Sequence, residues 1–391
     1  MKSIKDIPLK GERVLLRADF NVPMNDQKQI TDDVRIQMVL PTIRHILKEK
    51  GRLVICSHMG RPKGKRVEEY SLAPIARHIE SLLDKKVTLA PDCIGKEVEA
   101  IVEKMAEGEI VLLENLRFHA GETENNPAFS KQLAQFADVY INDAFAVSHR
   151  AHASVVGVAD HVETKAAGFL LQTEMDYFHK SMDAPARPLV AVIGGAKVSS
   201  KLGALENMLG KVDRMIIGGA MANTFLKSIG VDVGASKVEE DLLDNARQFI
   251  DAADARGVKF YLPVDFVVAD RFAADAITKN VTYKDIPSGW MALDIGPAST
   301  ILFKEALEDA KTIIWNGPMG AFEMDAFSRG TMAMCQNIAS SHALSIVGGG
   351  DSSAAVKKSG EEKNISYMST GGGAFLELME GKKLPGVEAL G

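Results

Sequence analysis

Two doubly wound parallel-sheet domains of the Rossmann-like α/β class, joined by a hinge helix, are what this 391-residue sequence predicts. Three observations predict them. Short β-branched runs alternate with longer helical patterns along the chain, as strand–helix–strand units require. Several of these runs are apolar throughout, as in Leu189-Val190-Ala191-Val192-Ile193, which suits a strand covered by helices on both faces. The chemistry also changes partway: eight of nine histidines lie at or before His179, whereas 24 of 33 glycines follow residue 185.

The elements follow in order. Strands are expected at residues 14–18, 53–57, 110–114 and 139–142 in the front half. In the back half they are expected at 189–193, 215–217, 312–315 and 344–347. Helical periodicity fills intervals between them, at 72–83, 96–105, 199–208, 239–252 and 299–310. Residues 164–182 read as one amphipathic helix bridging the halves. Asp183-Ala184-Pro185-Ala186-Arg187-Pro188, with two prolines, marks a boundary after it.

Composition excludes several function classes. The chain holds 46 Lys+Arg against 52 Asp+Glu, a net charge of -6, so it lacks the basic excess of a nucleic-acid binder. No run approaches the roughly 18 apolar residues that cross a bilayer, so no membrane partner is expected. Cys56, Cys93 and Cys335 are widely spaced and form no CxxC, which argues against a disulfide framework and against a cysteine-based zinc site. With no signal-peptide pattern at the start, a soluble cytoplasmic protein is expected.

In the back half, glycine clusters follow apolar strands. They are Gly194-Gly195-Ala196-Lys197, Gly218-Gly219, Gly348-Gly349-Gly350-Asp351 and Gly371-Gly372-Gly373, with Asn316-Gly317-Pro318-Met319-Gly320 as a fifth loop. Glycine lets backbone approach a ligand closely, and a helix start presents free N–H groups to an anion. Five such loops at the carboxyl ends of parallel strands point to a polyphosphate such as a nucleotide, although each loop alone could be a tight turn. Neither GxxxxGK[ST] nor a helix-opening GxGxxG is present, so the cradle is of another kind. Asp351 could cap the helix after it or hold Mg²⁺ on a phosphate. Lys197 and Lys201 are four apart and would share a helical face if the helix starts early.

The front half places polar or cationic groups just past strand ends: Asp19 and Asn21, His58 and Arg61, Arg117 and His119, then His149, Arg150 and His152. Arg35 falls in the first turn of a helix starting near residues 31–33. Strand ends of a parallel sheet converge, so these groups could form one basic pocket for a small, multiply charged acid. Each arginine alone could equally form a surface ion pair. Arg17, inside a strand, reads as a buried ion-pair partner within the fold.

These stretches together resemble the bacterial phosphoglycerate kinase family. The likeness is carried by Arg17-Ala18-Asp19-Phe20-Asn21-Val22-Pro23, Ser57-His58-Met59-Gly60-Arg61-Pro62, Glu114-Asn115-Leu116-Arg117-Phe118 and His149-Arg150-Ala151-His152. It continues through Gly194-Gly195-Ala196-Lys197-Val198, Trp315-Asn316-Gly317-Pro318, Gly348-Gly349-Gly350-Asp351 and Ser369-Thr370-Gly371-Gly372-Gly373-Ala374. The resemblance implies Mg²⁺-dependent phosphoryl transfer between 1,3-bisphosphoglycerate and ADP, giving 3-phosphoglycerate and ATP, in a glycolytic monomer.

Residue by residue, it implies phosphoglycerate contacts at Asp19, Asn21, Arg35, His58, Arg61, Arg117 and Arg150. It implies nucleotide contacts at Lys197, Lys201, Gly218, Gly219, Leu293, Asn316, Pro318, Glu323, Gly349, Gly350, Asp351 and Ser352. Within that set Asp351 takes the Mg²⁺, Glu323 the ribose, and Leu293 and Pro318 flank the adenine. Ser352 stands where the family often has threonine, and the hydroxyl is kept. Arg35, Lys201, Gly371, Gly372 and Gly373 are the implied catalytic groups. The implied domains are 1–170 and 171–373, with 374–391 returning to the first, and closure about the bridging helix brings the substrates together. Two alternatives remain open on sequence alone: an NAD(P)-dependent two-domain dehydrogenase, and a non-enzymatic two-lobed anion-binding protein.

Overall fold

A computed structural model describes residues 1–391. The first six strands are β1 (Arg13–Arg17), β2 (Arg52–Cys56), β3 (Val87–Leu89), β4 (Ile110–Leu112), β5 (Val139–Asn142) and β6 (Thr164–Ala167). They form one parallel sheet in the order β3-β4-β2-β1-β5-β6. The chain winds outward from β1 on one side and resumes with β5 on the other, so the topological switch lies at β1 and β5. Val14, Leu15, Leu16 and the whole of β5 are buried, as a sheet covered on both faces requires.

The second unit repeats the plan. Its strands are β7 (Leu189–Ile193), β8 (Arg214–Ile217), β9 (Lys259–Tyr261), β10 (Asp265–Ala269), β11 (Thr278–Thr282), β12 (Met291–Ile295), β13 (Thr312–Asn316), β14 (Leu344–Gly348) and β15 (Tyr367–Met368). Six of them form a parallel sheet, β15-β14-β13-β7-β8-β9, with its switch at β7 and β13. Strands β10, β11 and β12 form a separate antiparallel sheet, which the sequence reading lacked. At its edge, β11 reads Thr-Lys-Asn-Val-Thr and is almost wholly exposed, so it carries no apolar run.

Two local expectations need correcting. Residues 164–182 are not one helix: Thr164–Ala167 is a strand paired in parallel with β5, and the helix is Phe169–Met182. Pairing of Ile141 with Ala166 and Asn142 with Ala167 is a tertiary gain that outweighs continuation of the helix. The helix expected over 199–208 starts only at Leu202, so Lys197 lies in the preceding loop and shares no helical face with Lys201.

The chain divides into Met1–Met175 with Lys383–Gly391, and Asp176–Lys382. The division falls inside the helix Phe169–Met182. The returning segment is anchored by Gly386, whose N–H donates to the Ser148 carbonyl (2.8 Å) while its own carbonyl accepts from Asn142 Nδ2 (3.1 Å). Residues 374–382, expected to return with it, stay with the second unit. There the Phe375 ring meets Phe178 edge-on at 6.4 Å, and Asn207 Nδ2 donates to the Met379 carbonyl (2.7 Å).

Trp315 anchors the second core. It is fully buried in β13, and its indole N–H donates to the Gly317 carbonyl (2.7 Å), tying the core to the loop that follows. Trp315→Ala is expected to lower unfolding free energy by about 3–5 kcal/mol, read as a shift of the denaturant midpoint at unchanged slope.

Candidate active site

The carboxyl ends of β1, β2, β4 and β5 gather the front-half groups. Asp19, nearly buried just past β1, accepts from Arg35 NH1 (3.0 Å) and from the Asn21 N–H (3.0 Å). Arg35 NH1 also donates to the Asn21 carbonyl (3.2 Å). Asn21 Oδ1 in turn receives the Gly60 N–H (3.0 Å), joining the first loop to the second. Arg35 stands one residue inside the helix Val34–Lys48, as the sequence placed it.

Arg117 comes from the short 3-10 turn Leu116–Phe118 after β4. Asn115 Oδ1 caps that turn and also accepts from Met59, while Arg117 NH1 donates to the Gly60 carbonyl (2.7 Å). Arg117 Nε is buried and has no hydrogen-bond partner within the chain. Burial first, then the charges of Arg17 and Arg150, pushes this guanidinium down to about 10. The same neighbours act on His152, which burial, Arg117, Arg17 and Arg150 lower to about 4. Burial and these cations also hold His58 well below its usual range, so it is neutral at pH 7. Its 3.9 Å approach to Asp19 is therefore no ion pair; Nδ1 instead faces Arg17 NH2 at 3.2 Å.

Arg17, Arg117, Arg150, His58 and His152 thus share one electropositive field at the switch point of the sheet. Arg61 is exposed and makes no hydrogen bond within the chain. His119 is drawn elsewhere, its Nε2 lying 2.7 Å from Asp92 Oδ1. Arg17 is fully buried but has no direct carboxylate partner. It donates to the Ser154 hydroxyl (2.7 Å), which donates to Glu122 (2.7 Å), so the expected ion pair is relayed through a hydroxyl.

In the second unit the glycine loops after β7, β8 and β13 interlock. Gly194 N donates to the Asn316 carbonyl (3.0 Å), Gly195 N to the Pro318 carbonyl (3.0 Å) and Gly219 N to the Met319 carbonyl (3.0 Å). Gly219 has φ +68°, and a Cβ there would stand 2.5 Å from the Gly195 nitrogen, so only glycine fits. Lys201 Nζ stitches these loops, donating to the Gly194 (2.7 Å) and Asn316 (2.8 Å) carbonyls. Burial lowers its ammonium to about 8, against a raising influence from Asp351.

Beside them lies a cavity of about 570 Å³. Of the sequence-predicted residues, Gly219, Leu293, Pro318, Glu323 and Asp351 line it. Gly218, Asn316 and Ser352 serve as scaffold behind it. Gly218 is buried against Met319, Asn316 Nδ2 donates to the Gly348 carbonyl (2.9 Å), and Ser352 Oγ accepts from Gly317 N (2.6 Å). Lys197 is exposed in its loop. Gly349 has φ +97° and precedes the helix Gly350–Ser359; Gly371 precedes the helix Gly372–Met379. First-turn N–H groups of both helices have no intrahelical acceptor. Their openings adjoin, since a Cβ on Gly372 would lie 3.1 Å from Gly349 Cα.

Sequence reasoning missed Lys237 and Phe272, which also line the cavity. Neither sits in a glycine cluster, and no sequence signal marks either; in the structure Phe272 stands out as a large aromatic left 66% exposed.

A donor set for Mg²⁺ can be tested on this geometry. Asp351 is an exposed carboxylate in a first helical turn on the cavity wall. One carboxylate completed by phosphate oxygens is the coordination Mg²⁺ prefers, so the residues fit that ion when it arrives with a nucleotide.

Comparison with known proteins agrees. The family model for phosphoglycerate kinase matches residues 4–382. A phosphoglycerate kinase of Desulfotalea psychrophila is 72% identical over 390 residues, covering 100% of both chains. That of Citrifermentans bemidjiense is 58% identical over 98% of this chain and 96% of its own. Among solved structures, the phosphoglycerate kinase of Coxiella burnetii superposes with a TM-score of 0.91 at 42% identity, covering 100% of this chain and 98% of that one. The dehydrogenase and anion-binding alternatives lose their footing here, and the chain belongs to the phosphoglycerate kinase family.

Proposed function

We propose that the cationic cluster of the first unit takes 3-phosphoglycerate or 1,3-bisphosphoglycerate, while the glycine-lined cavity of the second takes ATP or ADP with Mg²⁺. The chain is a phosphotransferase with a carboxylate acceptor, acting in glycolysis and gluconeogenesis. The observation that carries the substrate assignment is Arg117 Nε: a buried cationic donor with no partner inside the chain, set in a field of two further arginines. Such a donor calls for an anion from outside. Arg61, exposed and uncommitted, is available to the same ligand.

The acceptor carboxylate is already ionised at neutral pH, so no general base is needed. What remains is positioning and charge stabilisation. Arg35 has one nitrogen committed to Asp19 and Asn21, leaving its other N–H groups for the moving phosphoryl. Lys201 offers its third N–H from the nucleotide side. Backbone N–H groups of Gly372 and Gly373, presented by Gly371, add neutral donors at a helix start. Mg²⁺ held by Asp351 supplies charge neutralisation on the nucleotide phosphates. Transfer requires the two substrates to meet, and closure about the helix Phe169–Met182 is the motion we assign to that task. Small-angle scattering should show compaction when both substrates are added, and an unchanged radius would remove this motion. We place the protein in the cytoplasm as a monomer; its three cysteines are free and buried, in keeping with a reducing compartment.

The test is a coupled assay for 1,3-bisphosphoglycerate formed from ATP, Mg²⁺ and 3-phosphoglycerate; absence of product overturns the reading. Asp351→Ala is expected to weaken Mg²⁺-nucleotide binding by at least about tenfold and to leave 3-phosphoglycerate binding intact, both measured by calorimetry.

A further inference from the structure

The first unit carries a second constellation that the phosphoryl-transfer site does not use. Asp92 and Cys93 lie in the loop between β3 and the helix Lys96–Glu103; His119 closes the turn that carries Arg117. One ligand atom from each of the three lies within 4.8 Å of the others. The sequence argued against a cysteine-based zinc site because no second cysteine stands near the first. The fold supplies the missing ligands from neighbouring strand ends instead.

From this convergence we infer that Cys93 Sγ, His119 Nε2 and Asp92 form a three-ligand site for Zn²⁺ or a similar borderline divalent cation, with the fourth position left to water. Thiolate, imidazole and carboxylate together are a zinc donor set rather than a magnesium or calcium one, since the latter ions take oxygen ligands. Thiolate and carboxylate together balance the two positive charges of the ion.

The surroundings favour a cation. The charged neighbours that act on Cys93 are the carboxylates of Asp92 and Glu122. Arg66, the guanidinium that reaches this loop, donates to the Pro91 carbonyl (2.6 Å) and lies over the Phe118 ring at 5.8 Å, so it does not pair with Asp92. The imidazole is held against the Phe129 ring, centroids 5.6 Å apart. Asp92 Oδ1 also accepts the Cys93 N–H (2.7 Å), which orients the carboxylate. Cys93 is buried, whereas the side chains of Asp92 and His119 are 39% and 32% exposed, giving the ion an entry from solvent.

On binding, the Zn–S bond forms as the S–H bond breaks and its proton passes to solvent. His119 Nε2 donates its proton to Asp92 in the metal-free site, so metal binding requires that proton to move to Nδ1 or to solvent, which frees the Nε2 lone pair for the metal. No electron is transferred. Because the thiol must give up its proton to bind, affinity rises with pH. The ion would tether the Asp92 loop to the turn bearing Arg117 and link metal to substrate affinity, although the site itself does not depend on the proposed reaction.

The experiment titrates the full-length protein with Zn²⁺ against a chromophoric chelator and, separately, with Co²⁺ under absorption spectroscopy. We expect one equivalent of Zn²⁺, and a Co²⁺ spectrum with a thiolate-to-metal charge-transfer band. Cys93→Ser should abolish that band. His119→Gln and Asp92→Asn, at part-exposed positions where folding is least at risk, should each weaken Zn²⁺ by at least about tenfold. Circular dichroism verifies that the variants are folded. No stoichiometric Zn²⁺, or a Co²⁺ complex of the unaltered protein without the charge-transfer band, overturns the inference. So does Zn²⁺ binding unchanged in His119→Gln. None of these readouts requires kinase activity, so the site can fail while the proposed function stands, and the reverse.

Discussion

Arg35→Ala is expected to cut kcat by a factor on the order of 10²–10³ while the dissociation constant for ATP stays within error of the unaltered protein. The asymmetry follows from where Arg35 stands. Its guanidinium is anchored through one nitrogen to Asp19 and the Asn21 carbonyl, both in the first unit, and touches none of the glycine loops that wall the nucleotide cavity. Anchoring of this kind costs no reorganisation at the moment of transfer, so its loss falls on the barrier rather than on nucleotide affinity. Steady-state kinetics with an independent nucleotide titration decides it. Equal losses in turnover and ATP affinity would reassign Arg35 to binding.

Lys201→Met should lower kcat by a similar order and erase an alkaline limb from its pH profile. In the unaltered protein the ammonium loses its proton near pH 8, so turnover should fall as pH rises through that value. Stability moves the other way. The folded value lies below the 10.5 of a free lysine, so between about pH 8 and 10 the unfolded chain holds more protons than the folded one, and unfolding free energy rises with pH. Activity and stability therefore diverge in the same window, for one proton. In Lys201→Met both trends vanish. The Gly194 carbonyl also loses its donor, at about 1–3 kcal/mol when left buried and unpaired, whereas the Asn316 carbonyl keeps the Gly194 N–H. Denaturant melts at pH 7 and pH 9.5, alongside initial rates, test both halves. A persistent limb near pH 8 in the variant would place the titrating group elsewhere.

What the sequence could and could not reveal follows a physical divide. Glycine loops after β7, β13 and β14 were legible because a strand, its terminal glycine and the next helix are neighbours in the chain. The group around Asp19, Arg35 and Arg117 was legible for the same reason: each stands immediately past a strand end or in a first helical turn. Features made by pairing were not. Thr164–Ala167 shows no signal distinguishing it from the helix after it until β5 lies alongside. Strand β11 is polar because, apart from Val281, which packs on the small core of its sheet, its residues are exposed to water. Lys237 and Phe272 reach the cavity wall from loops with no local signature of phosphate binding. Arg17 read as an ion pair because burial of a guanidinium demands compensation, yet the Ser154 hydroxyl that relays its hydrogen bond to Glu122 lies 137 residues away and is brought there only by the fold.

The return of residues 383–391 to the first unit sets the timetable of biosynthesis. Asn142 and Ser148 leave the ribosome early, but Gly386, which bonds both, is made last of the three. At about 5–20 residues per second, the interval from residue 175 to residue 386 is roughly 10–40 s. Throughout it the first unit lacks its final clasp, while the second is still being made. The last residue of the later unit, Lys382, and the clasp of the earlier one, Gly386, are thus made almost together, so both units reach completion only at the end of synthesis.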